Sequence, residues 1–199
     1  MKSFWATRIY TPRGFVRENI LEKARALDLG CGNRKLPGAI GVDSLDLSSV
    51  DIVHDLSQFP WPFEDASFNL VFANHFLEHA PCTLRTLNEI HRILAPGGRV
   101  VIQVPYFRSV DAFSDPTHQH FFTSASLDYI IEGTKLANYA YTMCRFKKIG
   151  FWYGWPQPSH NPITRLFKAF IQRFPRFYDQ YLSLVAPAEV LTWELEIIE

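Results

Sequence analysis

Three side chains with lone pairs to offer, His75, Glu78 and His79, stand in the segment His75-Phe76-Leu77-Glu78-His79. In one helical turn the spacing i, i+3, i+4 puts them on one face, where they can converge on an ion. An imidazole there can also take a proton near neutral pH. A second histidine group lies in Asp115-Pro116-Thr117-His118-Gln119-His120-Phe121-Phe122-Thr123, so His75 and His118 are the candidate general bases. A different chemistry is written in Leu27-Asp28-Leu29-Gly30-Cys31-Gly32. Two glycines directly after an apolar strand allow a sharp backbone turn and close approach of a ligand. Downstream, Gly41-Val42-Asp43 reads as a second strand ending in an acid able to accept both hydrogen bonds of a ribose diol. A glycine turn alone is weak evidence; the turn and the acid in this order point to a nucleotide-type ligand. Cys31, between the glycines, reads as a small packing residue rather than a nucleophile.

These residues need a frame to hold them. Ala24 to Leu29, Ile40 to Val42, Asp51 to Val53, Phe68 to Ala73 and Arg99 to Val104 are short, apolar and bounded by Gly, Asp or Pro, the signature of strands buried on both faces. Between the last two, Leu84, Leu87, Ile90, His91 and Leu94 recur at helical spacing, with Pro96-Gly97-Gly98 as the stop, giving a right-handed βαβ unit. A helix capped by Thr123 or Ser124 is expected through about Glu132, then strands at Arg145 to Phe151 and Val190 to Ile198. The predicted fold is α/β, a doubly wound, Rossmann-like, mostly parallel sheet of seven strands with an antiparallel C-terminal hairpin. Residues 1–199 are read as one domain, with 24–105 the cofactor-binding core and 106–199 the substrate-side loops, amphipathic helix and last strands. Gly32 and Gly41 are separated by Asn33 to Ile40 only, too few for a proper crossover helix. That helix is expected to be missing or reduced to a single turn.

Over residues 24 to 105 the chain resembles the class I S-adenosylmethionine-dependent methyltransferases. The resemblance implies that Gly30 and Gly32 face the methionine part of the cofactor, with Asp28 near its ammonium. It makes Asp43 the ribose acid, Asp55 and Leu56 the adenine contact, and Asn74 the residue beside the methionine moiety. Leu94-Ala95-Pro96-Gly97-Gly98 is similar to the family's turn before its fifth strand. Lys35 stands where a dinucleotide site wants a third glycine for the pyrophosphate. S-adenosylmethionine has no pyrophosphate, so a nicotinamide-dependent oxidoreductase is disfavoured. The shortened crossover is similar to that of a group of small bacterial methyltransferases.

The histidines carry a second resemblance, to metal-assisted O-methyltransferases acting on small RNAs or in quinone pathways, which have E-x-x-E-H at this place. It implies a divalent metal held by His75, Glu78, His79 and His118, with His120 as substitute. His75 in place of the first Glu would shift such a site from Mg²⁺ toward Zn²⁺, Mn²⁺ or Fe²⁺. Against it stands a plainer reading, favoured here, in which Glu78 and His79 bond turn backbones and the His118 segment is a substrate-lid hinge. A peptidase of H-x-x-E-H type is disfavoured, because it needs a longer helix and a distant third ligand, whereas Pro81 sits two residues on and the segment follows a strand.

Twenty basic residues balance twenty acidic ones, so no global field steers the protein to nucleic acid. Three widely spaced cysteines, with no secretory h-region after Met1, suggest a reducing, cytoplasmic setting. No apolar run approaches the ~20 residues a membrane helix needs. Ile163, Leu166, Phe167, Phe170, Ile171 and Phe174 form an apolar stripe opposite Arg165, Lys168, Gln172 and Arg173. It is read as cover for the sheet or a homodimer face, ahead of a membrane-surface helix. Trp152, Tyr153 and Trp155 to His160 are candidates to stack on an acceptor, and Phe4, Trp5, Arg8 and Tyr10 to form a lid or an edge plug. The expected reaction is methyl transfer to a hydroxyl, or an amine, of a small acceptor such as a sugar or secondary metabolite. A non-catalytic S-adenosylmethionine-binding scaffold is the alternative.

Overall fold

The structure, a computed structural model, describes residues 25–154 and 161–198 with their side chains and the backbone at 9–11 and 14–16. Strand β3 (Ala26–Leu29) is buried at every position because both faces of the sheet are covered. Its alternation still sorts the residues. Leu27 and Leu29 join the large core cluster, while Ala26 packs on the other face with Leu36, Ala39, Leu70, Phe72 and Val101. The smaller cluster lies where a first crossover helix would pack. No helix forms between β3 and β4 (Ile40–Asp43), as the short spacing predicts, and Leu36 and Ala39 of the connecting loop cover that face instead.

Strands β5 (Ile52–Val53), β6 (Phe68–Asn74), β7 (Leu94–Pro105), β8 (Phe146–Tyr153) and β9 (Val190–Ile197) complete one sheet, ordered β5-β4-β3-β6-β7-β9-β8. The first five run parallel, and β9 is antiparallel to both neighbours, β7 and β8. The mostly parallel seven-stranded sheet is therefore present. Chain order reverses between β3 and β6, the switch point where open α/β sheets place ligands beyond the carboxyl ends of their strands. Helix α1 (Thr83–Ile93) buries Thr86, Leu87, Ile90 and Ile93, one apolar stripe of the helical repeat.

Four expectations need correction. Strand β7 starts at Leu94, not Arg99: Leu94 pairs with Phe68 and Arg99 with Leu70, so Ala95 to Gly98 loop out of a ladder that resumes beyond them. From Thr123 to Glu132 there is no α-helix but a run of turns. Ser126, Asp128 and Ile130 each bond the carbonyl three residues back, while Phe146 captures the backbone of Ile130 and Glu132. Helix α2 (Pro162–Arg173), capped by the Asn161 side chain on the amides of Ile163 and Thr164, lies beside β8 but covers little of the sheet; of its stripe only Ile171 enters the core. Tyr153 is not an acceptor platform either. It is buried, its hydroxyl 2.7 Å from Asp179 and 3.0 Å from the Pro175 carbonyl.

At the N-terminal side, Tyr10 lies in β1 (Ile9–Thr11), paired with β2 (Gly14–Val16) in a separate antiparallel hairpin. Phe4, Trp5 and Arg8, like Trp155 to His160, lie outside the described residues.

Candidate active site

At the carboxyl end of β3 the chain turns through Gly30 and Gly32, both at positive φ (62° and 48°). Only glycine takes this backbone without strain. The ring of Phe76 fills the space over Gly30, where an added Cβ would approach it to 2.9 Å. The turn is held from below by β4: the Gly30 and Cys31 amides donate to the Val42 carbonyl, and the Gly32 amide donates to Asp43 Oδ2 at 2.9 Å. Leu45 N donates to Asp43 Oδ1 at 3.0 Å. One backbone bond on each oxygen fixes the carboxylate and leaves a lone pair on each, the arrangement a ribose diol would engage. Asp28 is buried and accepts the Leu36 amide at 2.7 Å; burial pushes its carboxyl up to about 6, against the pull of that amide and of Lys35. Lys35 itself crosses Gly41 and places its ammonium 2.7 Å from Asp51, whose Oδ2 also takes the Gly41 amide. This clamp substitutes for part of the missing helix. Cys31 is buried and its thiol is pushed up to about 11, mainly by that burial, which suits packing and not nucleophilic attack.

The remaining cofactor candidates divide. Asp55 is exposed, and its Oδ1 accepts the Ser57 amide at 2.9 Å as a turn-forming acid does. Leu56 is in the core, its carbonyl accepting from Trp61 Nε1. At the end of β6, Asn74 has a buried Oδ1 with no partner among the described residues. A buried amide oxygen left bare is costly, and a donor from a bound molecule could satisfy it.

Beyond Asn74 the predicted helical turn does not form. His75 has φ 50°, in the left-handed region that a β-carbon disfavours, and Phe76 to Ala80 close as turns, with His79 N donating to the Phe76 carbonyl. His75 therefore departs from the common face. Its Nδ1 lies 3.1 Å from Glu78 Oε1, while Glu78, fully buried, keeps Oε2 without a partner among the described residues. Glu78, His79 and His118 can each place one ligand atom within 4.8 Å of the others, a triad that excludes His75. His120 is not a substitute, because its Nε2 donates to the Ala80 carbonyl at 2.8 Å.

His75, His79 and His118 line a cleft of ≈ 540 Å³ with Pro105, Asp111 and Asp115. Hydrogen bonds fix which nitrogen is basic. His118 Nδ1 lies 2.9 Å from the Ala112 carbonyl, which can only accept, so Nδ1 carries a proton and the lone pair of the neutral ring falls on Nε2. Thr117 donates its hydroxyl to Asp115 Oδ1 at 2.6 Å and so can only accept from His79 Nδ1 at 2.9 Å. Asp115 is held below the usual carboxylate range by the Thr117 hydroxyl and amide, which keeps this relay in one direction. In the neutral tautomer that these bonds select, each imidazole would present Nε2 as its acceptor. The two rings meet edge to face at 4.7 Å.

Phe76, Lys35, Asp115 and Thr117 were invisible as site residues in the sequence. Only the Asp115-to-His118 run hinted at the last two. A further group was missed: Asp179 binds Tyr106 and Tyr153 through Oδ1 and Ser124 through Oδ2, all within 2.7 to 2.8 Å of their hydroxyls, and ties the 174–185 segment to the residue after Pro105.

A methyltransferase domain family matches residues 4–140, more than half the chain, and the protein belongs to it. Among curated relatives, a demethylmenaquinone methyltransferase of Staphylococcus saprophyticus is 30% identical over 122 residues, covering 50% of this chain and 52% of its own length. The chloroplastic tocopherol O-methyltransferase of Arabidopsis thaliana is 39% identical over 51 residues, 26% of this chain and 15% of that protein. The chain thus spans about half the length, or less, of these relatives. An S-adenosylmethionine-dependent methyltransferase structure from Mesorhizobium loti superposes with a TM-score of 0.53 at 15% identity, over 87% of this chain and 90% of that one. The Burkholderia thailandensis 1,6-didemethyltoxoflavin-N1-methyltransferase, solved with S-adenosylhomocysteine, gives 0.51 at 17%, over 91% and 76%. At these identities the superpositions establish the shared fold.

Proposed function

We propose that the protein binds S-adenosylmethionine at the β3–β6 switch point and transfers its methyl group to a hydroxyl of a small acceptor in the His79–His118 cleft. The observation that carries this is the bare, buried Asn74 Oδ1 standing between a glycine turn with a fixed acid and a histidine-lined cleft. The cofactor's sulfonium is already a good leaving group, so the protein's part is alignment and proton removal. The S–CH₃ bond breaks with its electron pair passing to sulfur, an O–CH₃ bond forms, and the hydroxyl proton goes to Nε2 of His118 or His79. The products are the methyl ether and S-adenosylhomocysteine. A hydroxyl is favoured over an amine because two imidazoles whose Nδ1 is held by a hydrogen bond leave Nε2 to take the proton that an attacking hydroxyl must lose. Sugars and secondary metabolites are the first acceptors to screen. The O-methyltransferase name of the tocopherol relative supports adding phenols. Phe113 and Phe121, stacked at 4.6 Å and both exposed beside the cleft-lining Asp111, Ser114 and Asp115, offer such a ring an apolar rim.

The test is calorimetric titration of the full chain with S-adenosylmethionine and S-adenosylhomocysteine, with NAD as control. Micromolar binding of both sulfur nucleotides without NAD binding supports the reading. Absence of binding sinks it.

One observation favours a metal-assisted variant of the same reaction: the Glu78, His79, His118 triad and the unpartnered Glu78 Oε2. Two neutral imidazoles and a carboxylate suit Zn²⁺, Mn²⁺ or Fe²⁺. A bound cation would supply Lewis-acid polarisation of the acceptor oxygen; Glu78, His79 and His118 would hold it and Thr117 would orient His79. Elemental analysis of the purified protein decides: a stoichiometric metal lost in His79→Ala, with S-adenosylhomocysteine affinity retained, supports it, and a metal-free wild type ends it.

A further inference from the structure

Helix α2 is amphipathic and tucks Ile171 into the core, but most of its apolar side faces outward. Ile163, Leu166, Phe167, Phe170 and Phe174 follow i, i+3, i+4, i+7 and i+11, one face of the helix, yet Ile163 is 77% and Leu166 74% exposed. The face does not end with the helix. Phe170 packs on Phe174 at 5.4 Å and on Phe177 at 6.3 Å, and Phe177 on Tyr181 at 5.0 Å, so the exposed rings form one connected strip. Leu184 and Val185 prolong it in sequence, also exposed. Phe167 leans on the buried Tyr178 at 6.4 Å, but Ile163 and Leu166 stay open, and an apolar surface this continuous is a contact site.

Charge says what it contacts. Arg165, Lys168 and Arg173 border or oppose the strip on α2, and none has a carboxylate partner among the described residues. Arg176 is paired with Asp128. Asp179, the one acid between residues 161 and 185, is taken up by Tyr106, Tyr153 and Ser124. The strip is thus flanked by an excess of positive charge, Arg165, Lys168 and Arg173 against a single carboxylate, Asp179, that is turned to Tyr106, Tyr153 and Ser124, on a chain whose total charge is balanced. A symmetric dimer through it would set these cations against their own copies, since an isologous contact brings the same patch to both sides. A bilayer with anionic headgroups offers the opposite sign together with an apolar interior. Aromatic and leucine side chains on one face with Lys and Arg on the other is the pattern of a helix lying in a lipid interface.

We infer that α2 and the aromatic strip running on to Tyr181 dock the protein on an anionic lipid surface. Tyr106, which follows the cleft-lining Pro105, is bonded to Asp179 in this same segment, so docking sets the lipid surface at the cleft end of the sheet. The inference does not depend on the methyl-transfer reading, because it rests on residues outside the cleft.

The experiment is sedimentation of the full chain with vesicles of phosphatidylglycerol in phosphatidylcholine and with vesicles of phosphatidylcholine alone. Binding is expected to the anionic vesicles and to weaken with added salt. Each basic residue near such a surface is worth about fivefold in affinity, so the triple variant Arg165→Gln, Lys168→Gln, Arg173→Gln should lose about a hundredfold. Leu166→Ser with Phe170→Ser should abolish binding while the thermal transition stays, because both side chains are exposed. Equal binding to both vesicle types, or none to either, overturns the proposal. So does self-association in sedimentation velocity that Leu166→Ser with Phe170→Ser removes while vesicles are ignored, which would make the strip a dimer face.

Discussion

The two sides of the switch point are built in different ways. On the proposed cofactor side the fixing bonds are local: Asp43 holds Gly32 across 11 positions and Asp28 holds Leu36 across 8. On the proposed acceptor side Thr117 meets His79 across 38 positions, and Gln119 and His120 reach His79 and Ala80 across 40. Closing a longer loop costs more chain entropy, and the contacts that offset it come from packing between distant segments. The cofactor shelf is a short-range construction that its own turn sequence specifies. The acceptor cleft exists only once β6 and the 106–122 segment are docked.

The sharpest way to test this division is to damage one side and read the other. His118→Ala removes a candidate base, and kcat with a competent acceptor should fall about 100- to 1,000-fold while S-adenosylhomocysteine affinity stays within about twofold. A matching loss of cofactor affinity would break the division. The reciprocal change, Asp43→Ala, removes two charge-assisted contacts and the tether of Gly32; cofactor affinity should fall about 100-fold by calorimetry, with the fold retained by circular dichroism. Unchanged affinity would sink the ribose assignment.

A smaller effect follows from Asp28. Its folded value, about 6, lies above the ordinary carboxylate value of 3.8, so the native state holds the proton more tightly than the unfolded chain. Its stabilising contribution is present below the unfolded value and is lost as pH rises through about 6. With the ammonium of S-adenosylmethionine beside it, as the proposed site would have it, Asp28 would have to be ionised. Cofactor affinity should therefore rise about tenfold between pH 5 and pH 8, and Asp28→Asn should flatten the profile. The smallest change concerns neither ligand: Tyr153→Phe leaves Asp179 short of one donor and should cost about 1–3 kcal/mol in denaturant unfolding, with cofactor affinity unaltered.

The same contrast explains what could be read in advance. Strand β3, the glycine turn, β4 with its acid, the absent crossover helix and α1 were all legible, because each rests on a pattern a few residues long. Strand β7 was placed late because Pro96-Gly97-Gly98 is a stop signal by composition, and nothing local reveals that Leu94 already pairs with Phe68. His75 was grouped with Glu78 and His79 by helical spacing, an argument that fails once its φ is positive. The Thr117–His79 bond and the Asp179 cluster join segments too far apart for any local pattern to announce. The stripe of α2 was read from its period, but period alone cannot say whether an apolar face looks in or out.

The order β7-β9-β8 also has a consequence for how the chain is made. β8 is synthesised long before β9, yet it cannot pair with β7, because β9 occupies the slot between them. While residues 146–189 emerge from the ribosome, the outer edge of β7 and the inner edge of β8 present unpaired amides and carbonyls to solvent or to a chaperone. The nascent sheet closes only when Val190–Ile197 is released and slides in, bringing the buried Trp193 and Leu195 with it. A stalled or prematurely terminated product lacking that strand would keep the glycine turn and its acid intact and still be a substrate for quality-control proteases.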